Sequence, residues 1–251
     1  MSQYQRYFLE LTYEGTRYHG WQIQPNAVTV QQKLNEALAI LLRHPVETTG
    51  AGRTDTGVHA RQLFVHFDYP DSLKAIDLVR FEAGINALLP IDIAVKRVTP
   101  VHPDAHARFD AIKRSYEYHI HFHKNPFKNN YSWLLKGNLD VEAMNQAGQI
   151  IMEYTDFSCF SKSNTQVKTN NCKVTRAEWV QTGDGLVFYI SADRFLRNMV
   201  RAIVGTCLMV GRHEIEPDGI RQIIESKNRS NAGTSVPACG LYLTEVKYPY
   251  L

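Results

Sequence analysis

The sequence predicts an α+β fold made of two similar halves, each a mostly antiparallel sheet with helices on one face, with an active-site cleft between the halves. Three observations support this fold class. Segments of alternating apolar residues indicate strands in both halves, and amphipathic helical segments lie between them. The order of the elements is similar in the two halves, without the strict strand–helix–strand alternation of a parallel sheet. We expect the N-terminal half to span residues 1–105 and the C-terminal half residues 106–251.

The N-terminal half begins with a predicted strand at residues 7–13. A helix is expected to begin at Thr29, whose hydroxyl can cap it, with Gln32 in the reciprocal position of a capping box. Apolar residues at helical spacing from Val30 to Leu42 indicate that this helix covers a sheet. The other predicted elements are a strand at residues 63–67, a helix at 77–89 that Pro90 stops, and a strand at 91–98.

The C-terminal half shows the same mixture of elements. Its first element is a long predicted strand at residues 111–122, and Asp140 is expected to cap the helix that follows. A hairpin is predicted around Gly183-Asp184-Gly185. The remaining predicted elements are an apolar helix at residues 195–210, a shorter helix at 217–226 and a closing strand at 241–246.

The composition of the 251-residue chain is that of a folded protein, with 44% hydrophobic and 21% charged residues. No segment approaches the roughly 20 apolar residues of a membrane span, and the first residues lack a signal-peptide pattern. We therefore expect a cytoplasmic protein that does not contact a membrane. The four cysteines form no Cys-x-x-Cys pair, which indicates free thiols rather than a zinc site. The net charge of +3 neither requires nor excludes a nucleic-acid partner.

The glycine-rich loop at residues 50–60 is the segment most informative about function, because it combines glycines with charged side chains. Its three glycines allow sharp turns and the close approach of a ligand, and Arg53 and Asp55 bring a cation near a carboxylate. No Gly-Lys-Ser/Thr sequence follows, so this is not a nucleotide-binding P-loop. On the residues alone, an ordinary polar turn remains the alternative.

Five ordered segments carry a resemblance to a known family. They are Tyr13-Glu14-Gly15-Thr16-Arg17-Tyr18-His19-Gly20-Trp21-Gln22, Gly52-Arg53-Thr54-Asp55-Thr56-Gly57-Val58-His59-Ala60, Arg114-Ser115-Tyr116-Glu117-Tyr118, Phe195-Leu196-Arg197-Asn198-Met199-Val200-Arg201 and Gly240-Leu241-Tyr242-Leu243. Together they resemble the TruA family of tRNA pseudouridine synthases along nearly the whole chain. The second segment is the most specific, because it matches over nine consecutive residues.

The resemblance implies an enzyme that converts uridine to pseudouridine in the anticodon stem-loop of tRNA, at positions 38–40. It also implies that no metal or organic cofactor takes part and that the protein works as a homodimer. Asp55 matches the catalytic carboxylate of the family. It could attack C1′ of the ribose as a nucleophile or remove a proton from C2′ as a base, and both routes remain open.

The resemblance also suggests roles for further residues. Tyr116 would stack on the uracil and could transfer a proton at C5. Arg201 would form an ion pair with Asp55, which keeps that carboxylate charged in a dry pocket. Arg53 would fill the space left by a flipped-out uridine or hold the adjacent phosphates.

Other candidates for substrate binding are weaker. Gln22, Gln24 and His59 are candidates for contacts with RNA or for support of the loop, and Leu241 for lining the uracil pocket. Basic residues that could contact phosphates and read the shape of tRNA are Arg17, Arg53 and Arg61, then Lys162, Lys168, Lys173 and Arg176, and, beside the aromatic residues Phe127, Tyr131 and Trp133, Lys124, Lys128 and Lys136.

Two other functions fit the sequence less well. An RNA-binding module without catalysis would have no need of Asp55, Tyr116 and Arg201 together, and a glycosylase would need a second carboxylate to place a water. His119, His121 and His123 alternate along one strand at a spacing that could bind zinc. No fourth ligand is evident, so a solvent-facing strand edge without metal is expected. No function is assigned to residues 164–172.

Overall fold

A computed structural model describes residues 4–70, 77–162 and 169–251 of the chain. These residues contain strands β1 (Tyr4–Tyr13), β2 (Thr49–Gly50), β3 (His59–Pro70), β4 (Ile93–Val101), β5 (Lys113–His121), β6 (Trp133–Leu134), β7 (Val174–Thr182), β8 (Gly185–Ala192) and β9 (Leu241–Lys247), and helices α1 (Val30–Leu42), α2 (Leu78–Leu88), α3 (Val141–Met152), α4 (Met199–Gly211) and α5 (Gly219–Glu225). Nearly all the strand pairs are antiparallel, so the predicted α+β class is confirmed.

The chain divides into two compact units. The first comprises residues Met1–Ile112 and Leu243–Leu251, and the second comprises Lys113–Tyr242. The chain therefore passes from the second unit back into the first within β9.

In the first unit, β1 pairs antiparallel with β3 on one side and with β4 on the other, and β2 pairs with β3. The sheet is apolar because Phe8, Leu9 and Leu11 of β1 are at most 1% exposed. Helix α1 buries Leu34 and Leu38, and helix α2 buries Phe81 and Ile85.

Side-chain caps determine where these helices begin. The hydroxyl of Thr29 accepts a hydrogen bond from the backbone N–H of Gln32, as the sequence predicts, and Asp77 caps α2 in the same way. Among the described residues, the predicted reciprocal bond from the backbone N–H of Thr29 to the Gln32 side chain does not form, and the Gln32 amide donates to Glu36 at 2.8 Å. That partner lies one helical turn further on.

In the second unit, β8 lies between β5 and β7 and pairs antiparallel with both, whereas β6 pairs parallel with β5. Helix α3 packs on β7, and Gly148 allows the approach, because a Cβ there would lie 2.3 Å from the carbonyl oxygen of Ala177. Helix α4 is almost entirely buried, with Ile203 and Val204 at 0% exposure.

In both units, an asparagine on a helix forms hydrogen bonds with both backbone groups of one strand residue. In the first, the side chain of Asn86 on α2 donates to the carbonyl of Val95 and accepts from its N–H, both at 2.8 Å. In the second, Asn145 on α3 forms the same two bonds with Trp179 at 3.0 and 2.8 Å. Each helix is thus fixed in register to one residue of a strand.

Two further expectations are wrong. The apolar helix predicted to start at residue 195 begins at Met199, because Asn198 adopts a left-handed conformation with φ +66°. His121 does not face solvent: it is 2% exposed, and its Nδ1 atom lies 3.0 Å from the hydroxyl oxygen of Ser132. The strand β6, paired with β5, covers this residue, and desolvation lowers the pKa of its imidazole.

Candidate active site

The loop that contains Asp55 joins β2 to β3 in the first unit. β2 fixes the start of the loop, since Gly50 lies opposite Val65, and the next residue, Ala51, donates its N–H to the carbonyl of Phe64 at 2.8 Å. The other end of the loop runs directly into β3. Both ends of the loop are therefore held by one strand.

The segment at residues 13–22 packs against this loop through two glycines. A Cβ on Gly15 would lie 2.0 Å from the carbonyl oxygen of Val58, and one on Gly20, where φ is +84°, would lie 2.3 Å from that of Thr54. Only glycine fits at distances this short. The first and second segments that resemble the known family are thus one structural element.

Hydrogen bonds fix the residues on either side of Asp55. The hydroxyls of Tyr13 and Thr54 lie 2.9 Å apart in a buried position, and the N–H of Trp21 donates to the carbonyl of Thr54 at 3.2 Å. After Asp55, the N–H of Gly57 donates to the carbonyl of Tyr18 at 3.2 Å. The backbone that carries the carboxylate is therefore held from both sides.

Asp55 itself is half-buried, and its carbonyl accepts the N–H of Val58 at 3.1 Å, which closes a tight turn. Arg53, Gln22 and Gln24 are exposed on the same unit. The Gln24 amide donates to the carbonyl of His19 at 2.7 Å. The unit thus has one partly exposed carboxylate and several exposed polar side chains that a polar ligand could contact.

His59, at the end of the loop, is only 2% exposed. Its Nδ1 atom accepts a hydrogen bond from the backbone N–H of Gly15 at 3.0 Å, and a carboxylate oxygen of Glu14 lies 3.5 Å away. These contacts connect the imidazole to the segment at residues 13–22, which packs against the Asp55 loop.

Tyr116, Arg201 and Leu241 all belong to the second unit. Tyr116 lies on β5, and its half-buried ring meets the ring of Phe195 edge to face, with centroids 5.1 Å apart and planes at 87°. Such a pair stabilises one orientation of both rings. Phe195 therefore holds the tyrosine ring from the side.

Arg201 lies in the first turn of α4. Its Nε atom donates to the carbonyl of Val236 at 2.7 Å, and the N–H of Val236 donates to the carbonyl of Arg201 at 3.3 Å. Because a guanidinium is planar, fixing Nε also fixes the plane of its other nitrogens. The carbonyl of Val236 thus helps to set the orientation of this arginine.

Leu241 is 6% exposed and opens β9. Gly240, just before it, contacts β5, because a Cβ there would lie 2.6 Å from the carbonyl oxygen of His119. The buried hydroxyl of Tyr118 donates to the carbonyl of Pro237 at 2.8 Å, and burial raises its pKa. The segment before β9 is therefore fixed to β5.

The basic residues differ in their surroundings. Arg17 forms an ion pair with Asp92 through Nε at 2.7 Å, and Lys128 contacts both carboxylate oxygens of Asp184. Arg176 lies 2.9 Å from Glu178. Phosphate contacts of these three would compete with carboxylates already in place. Lys124, Lys136, Lys162 and Lys173 are exposed, and Lys168 lies outside the described residues.

Several supporting residues were not predicted. Tyr13, Tyr18 and Trp21 hold the Asp55 loop, and Phe195 and Val236 orient Tyr116 and Arg201. The close spacing of Gly15 and Gly20 to aromatic residues was the available signal for the first group. The roles of Phe195 and Val236 depend on contacts between residues far apart in the sequence, which leave no local signal.

The remaining candidates lie elsewhere. Among residues 4–70, 77–162 and 169–251, no group of three or more His, Cys, Asp or Glu side chains could hold a metal ion. In the same part of the chain, no helix is long and apolar enough to cross a membrane. Of the segment 164–172, residues 164–168 lie outside the description, and Asn171 forms an isolated bridge with Asp156.

Comparison with known proteins gives consistent matches. A family model described as tRNA pseudouridine synthase matches residues 154–249. The tRNA pseudouridine synthase A of Parabacteroides distasonis is 54% identical over 97% of this chain and 96% of its own length. The proteins of the same name from Bacteroides thetaiotaomicron and Bacillus subtilis are 52% and 38% identical, over 98% and 95% of this chain and 91% and 97% of their own lengths.

These matches, together with the α+β fold, define a pseudouridine synthase, which is an isomerase. Within that class, the chain belongs to the tRNA pseudouridine synthase A family.

Proposed function

We propose that this protein converts uridine to pseudouridine in the anticodon stem-loop of tRNA, at positions 38–40. The observation that carries the proposal is the Asp55 loop, whose backbone is fixed at Thr54 and Gly57 while the carboxylate stays partly exposed. Full-length relatives named tRNA pseudouridine synthase A support the choice of tRNA as substrate.

The reaction is an isomerisation, so uridine and pseudouridine contain the same atoms. The N1–C1′ bond breaks, the uracil turns, a C5–C1′ bond forms, the C5 proton leaves and N1 gains a proton. No oxidant, reductant or co-substrate is needed. One carboxylate is enough for the sugar chemistry, either by attack on C1′ with later displacement by C5, or by removal of the C2′ proton to give a glycal and return of that proton to C2′ as C5 bonds to C1′.

Arg201 and Tyr116 would complete the chemistry. The guanidinium of Arg201, oriented by Val236, is proposed to keep Asp55 ionised, because a nearby cation favours the charged form of a carboxylate. Tyr116 is proposed to stack on the turned uracil and to assist loss of the C5 proton, with Leu241 lining the same pocket.

Contacts with the RNA would come from exposed side chains. Arg53, Gln22 and Gln24 are exposed beside the Asp55 loop, as residues that meet a flipped nucleotide and its phosphates must be. For His59, burial to 2% exposure favours support of the loop over contact with RNA, and we propose that role.

We also propose a cytoplasmic homodimer. Light scattering at micromolar concentration tests the assembly, with twice the chain mass of 28.7 kDa as the expected result. A monomer under these conditions would contradict it.

The function is tested with tRNA transcripts labelled with tritium at uracil C5. The wild-type protein should release tritium without free uracil, and Asp55→Asn should bind tRNA with little change but release no tritium. Asp104→Asn serves as a control, since that side chain is 92% exposed on the same unit. Release of free uracil would identify a glycosylase instead. Tight binding without any release from wild-type protein would identify an RNA-binding module.

A further inference from the structure

Three polar side chains hold the start of α4 against the segment that leads into β9. The hydroxyl oxygen of Ser235 accepts a hydrogen bond from Nδ2 of Asn198 at 2.5 Å and another from Nη2 of Arg229 at 2.9 Å. A serine oxygen has two acceptor lone pairs, so it can serve both donors. All three side chains are half-buried. Hydrogen bonds are stronger in such partly buried positions than in water.

Asn198 is unusual because it precedes α4 in a left-handed conformation, with φ +66° and ψ 5°. Asparagine tolerates this region better than most residues. Its side chain forms no capping bond to the helix and donates to Ser235 instead. The turn at Asn198 therefore sets the direction of the first turn of α4, which contains Arg201.

The segment at residues 232–237 is pressed against the same helix. Arg229 donates through Nη1 to the carbonyl of Gly233 at 3.1 Å, and the N–H of Gly233 donates to the hydroxyl of Thr206 at 2.9 Å. A Cβ on Gly205 would lie 1.9 Å from the carbonyl oxygen of Thr234. There is thus no room for the segment to shift toward α4, and its polar bonds prevent a shift away.

Ser235 directly precedes Val236, whose carbonyl orients Arg201 at 2.7 Å. A displacement of Ser235 would move that carbonyl with it. Asn198 acts on the other side, through the helix that carries Arg201. The two donors to Ser235 therefore control both the backbone of Arg201 and the group that fixes its guanidinium plane.

We propose that Asn198, Ser235 and Arg229 are positioning residues that set the orientation of Arg201 for the isomerisation. The inference rests on the proposed function, in which the guanidinium of Arg201 keeps Asp55 ionised. These three residues act through Arg201 and need no contact with substrate.

The test compares variants that remove or restore the shared hydroxyl. Ser235→Ala should lower kcat for tritium release by about 10- to 100-fold, since small misplacements of catalytic groups have effects of this size. KM should stay within about threefold of wild type, because substrate binding is not touched. Ser235→Thr keeps the hydroxyl and should restore most of kcat. Asn198→Gly keeps the left-handed turn without strain but removes the amide, so it should resemble Ser235→Ala.

Controls separate positioning from stability. Ser226→Ala removes a hydroxyl that donates to the carbonyl of Ile223 at 2.7 Å, and His213→Gly replaces another left-handed residue, with φ +56°, in the same unit. Both should leave kcat unchanged. Thermal melting shows which variants remain folded at the assay temperature, and kinetics are measured below the lowest melting midpoint.

The pH profile gives a reading that a purely structural role would not change. A misplaced guanidinium stabilises the Asp55 carboxylate less, so the acidic limb of kcat should move to higher pH in Ser235→Ala and return in Ser235→Thr. A wild-type kcat and profile in Ser235→Ala and Asn198→Gly would overturn the proposal, as would a loss that Ser235→Thr fails to restore. Failure of the function itself looks different, because wild-type protein would then release no tritium.

Discussion

The Nδ1 atom of His59 lies 3.0 Å from the backbone nitrogen of Gly15, and this hydrogen bond joins the end of the Asp55 loop to the chain just after β1. To accept from an N–H, Nδ1 must be unprotonated, so the ring proton of the neutral imidazole sits on Nε2. Next to it, the absence of a side chain on Gly15 lets the carbonyl of Val58 approach. One histidine and one glycine thus hold the loop against its support.

Removing the His59 acceptor should destabilise the protein. His59→Ala leaves the buried N–H of Gly15 without that partner, which costs about 2 kcal/mol of unfolding free energy. His59→Asn should recover more than half of this loss, since its Oδ1 takes the place of Nδ1. Urea unfolding measures both, with His19→Ala as the control because that side chain is exposed. Equal free energies of unfolding for His59→Ala and His19→Ala would show that the hydrogen bond from Gly15 to His59 does not stabilise the fold.

Glycine substitutions should separate close packing from loop position. Gly20→Ala places a Cβ 2.3 Å from the carbonyl oxygen of Thr54 at φ +84°, so we expect a loss of about 2 kcal/mol or more. Gly52→Ala, in the Asp55 loop itself, meets no atom within 4 Å and should change stability by about 0.5 kcal/mol or less. Urea midpoints compare the two. A neutral Gly20→Ala would mean that the loop can move away from residues 13–22.

Local sequence signals predicted the elements whose causes are local. Thr29 and Asp140 begin helices because their side chains accept from backbone N–H groups three residues later, a pattern that can be seen in the sequence. The α+β class followed from strand and helix periods. Residue-by-residue resemblance identified the Asp55 loop and the segment at residues 13–22, but not the contacts that hold the two together.

Local sequence patterns could not predict contacts between residues that lie far apart in the chain. The helix predicted from residue 195 was extended too far because the apolar run includes Phe195 and Leu196, whereas the turn at Asn198 depends on Ser235, 37 residues away. The short strand β6 contains only two residues and no period. For the same reason, the burial of His121 beside Ser132 could not be predicted from strand alternation.

A buried histidine in the first unit should make stability depend on pH. His66 is 7% exposed, and its Nδ1 accepts the N–H of Ala107 at 3.1 Å. Burial, together with the positive charge of Arg6 and neighbouring His106, lowers the pKa of His66 to about 4, and Asp68 and Asp110 oppose the shift only in part. The unfolded chain binds the same proton with a pKa of about 6.5.

The folded state therefore binds fewer protons, and its stability falls as the pH drops. The contribution is complete above about pH 6.5 and disappears progressively toward the folded pKa of about 4. Between pH 7 and pH 5, the protonation of His66 alone should lower the free energy of unfolding by about 2 kcal/mol. Urea unfolding across this range measures the slope. His66→Asn keeps an acceptor for Ala107 but does not titrate, so a slope equal to wild type would exclude His66 as its source.

Arg201 should matter for turnover more than for binding. Arg201→Ala removes the proposed partner of Asp55, and we expect kcat to fall about 100-fold or more while the Kd for tRNA changes about threefold or less. Arg201→Lys retains charge but loses the planar fork that Val236 orients, so an intermediate kcat is expected. Single-turnover tritium release and filter binding measure the two quantities. Equal loss of both would make Arg201 an RNA anchor.

The two proposed roles of Tyr116 can be separated by its hydroxyl. Tyr116→Phe keeps the aromatic face and the edge-to-face contact with Phe195, so binding of tRNA should be retained. Loss of the hydroxyl should slow tritium release from C5 by about 100-fold, the usual weight of a proton-transfer group. Tyr116→Ala should additionally weaken stacking, by about 1 kcal/mol or more in tRNA binding. Tyr189→Phe, on the adjacent strand β8, is the control. If Tyr116→Phe releases tritium at the wild-type rate, the tyrosine contributes its ring alone, and the proton must leave to another group.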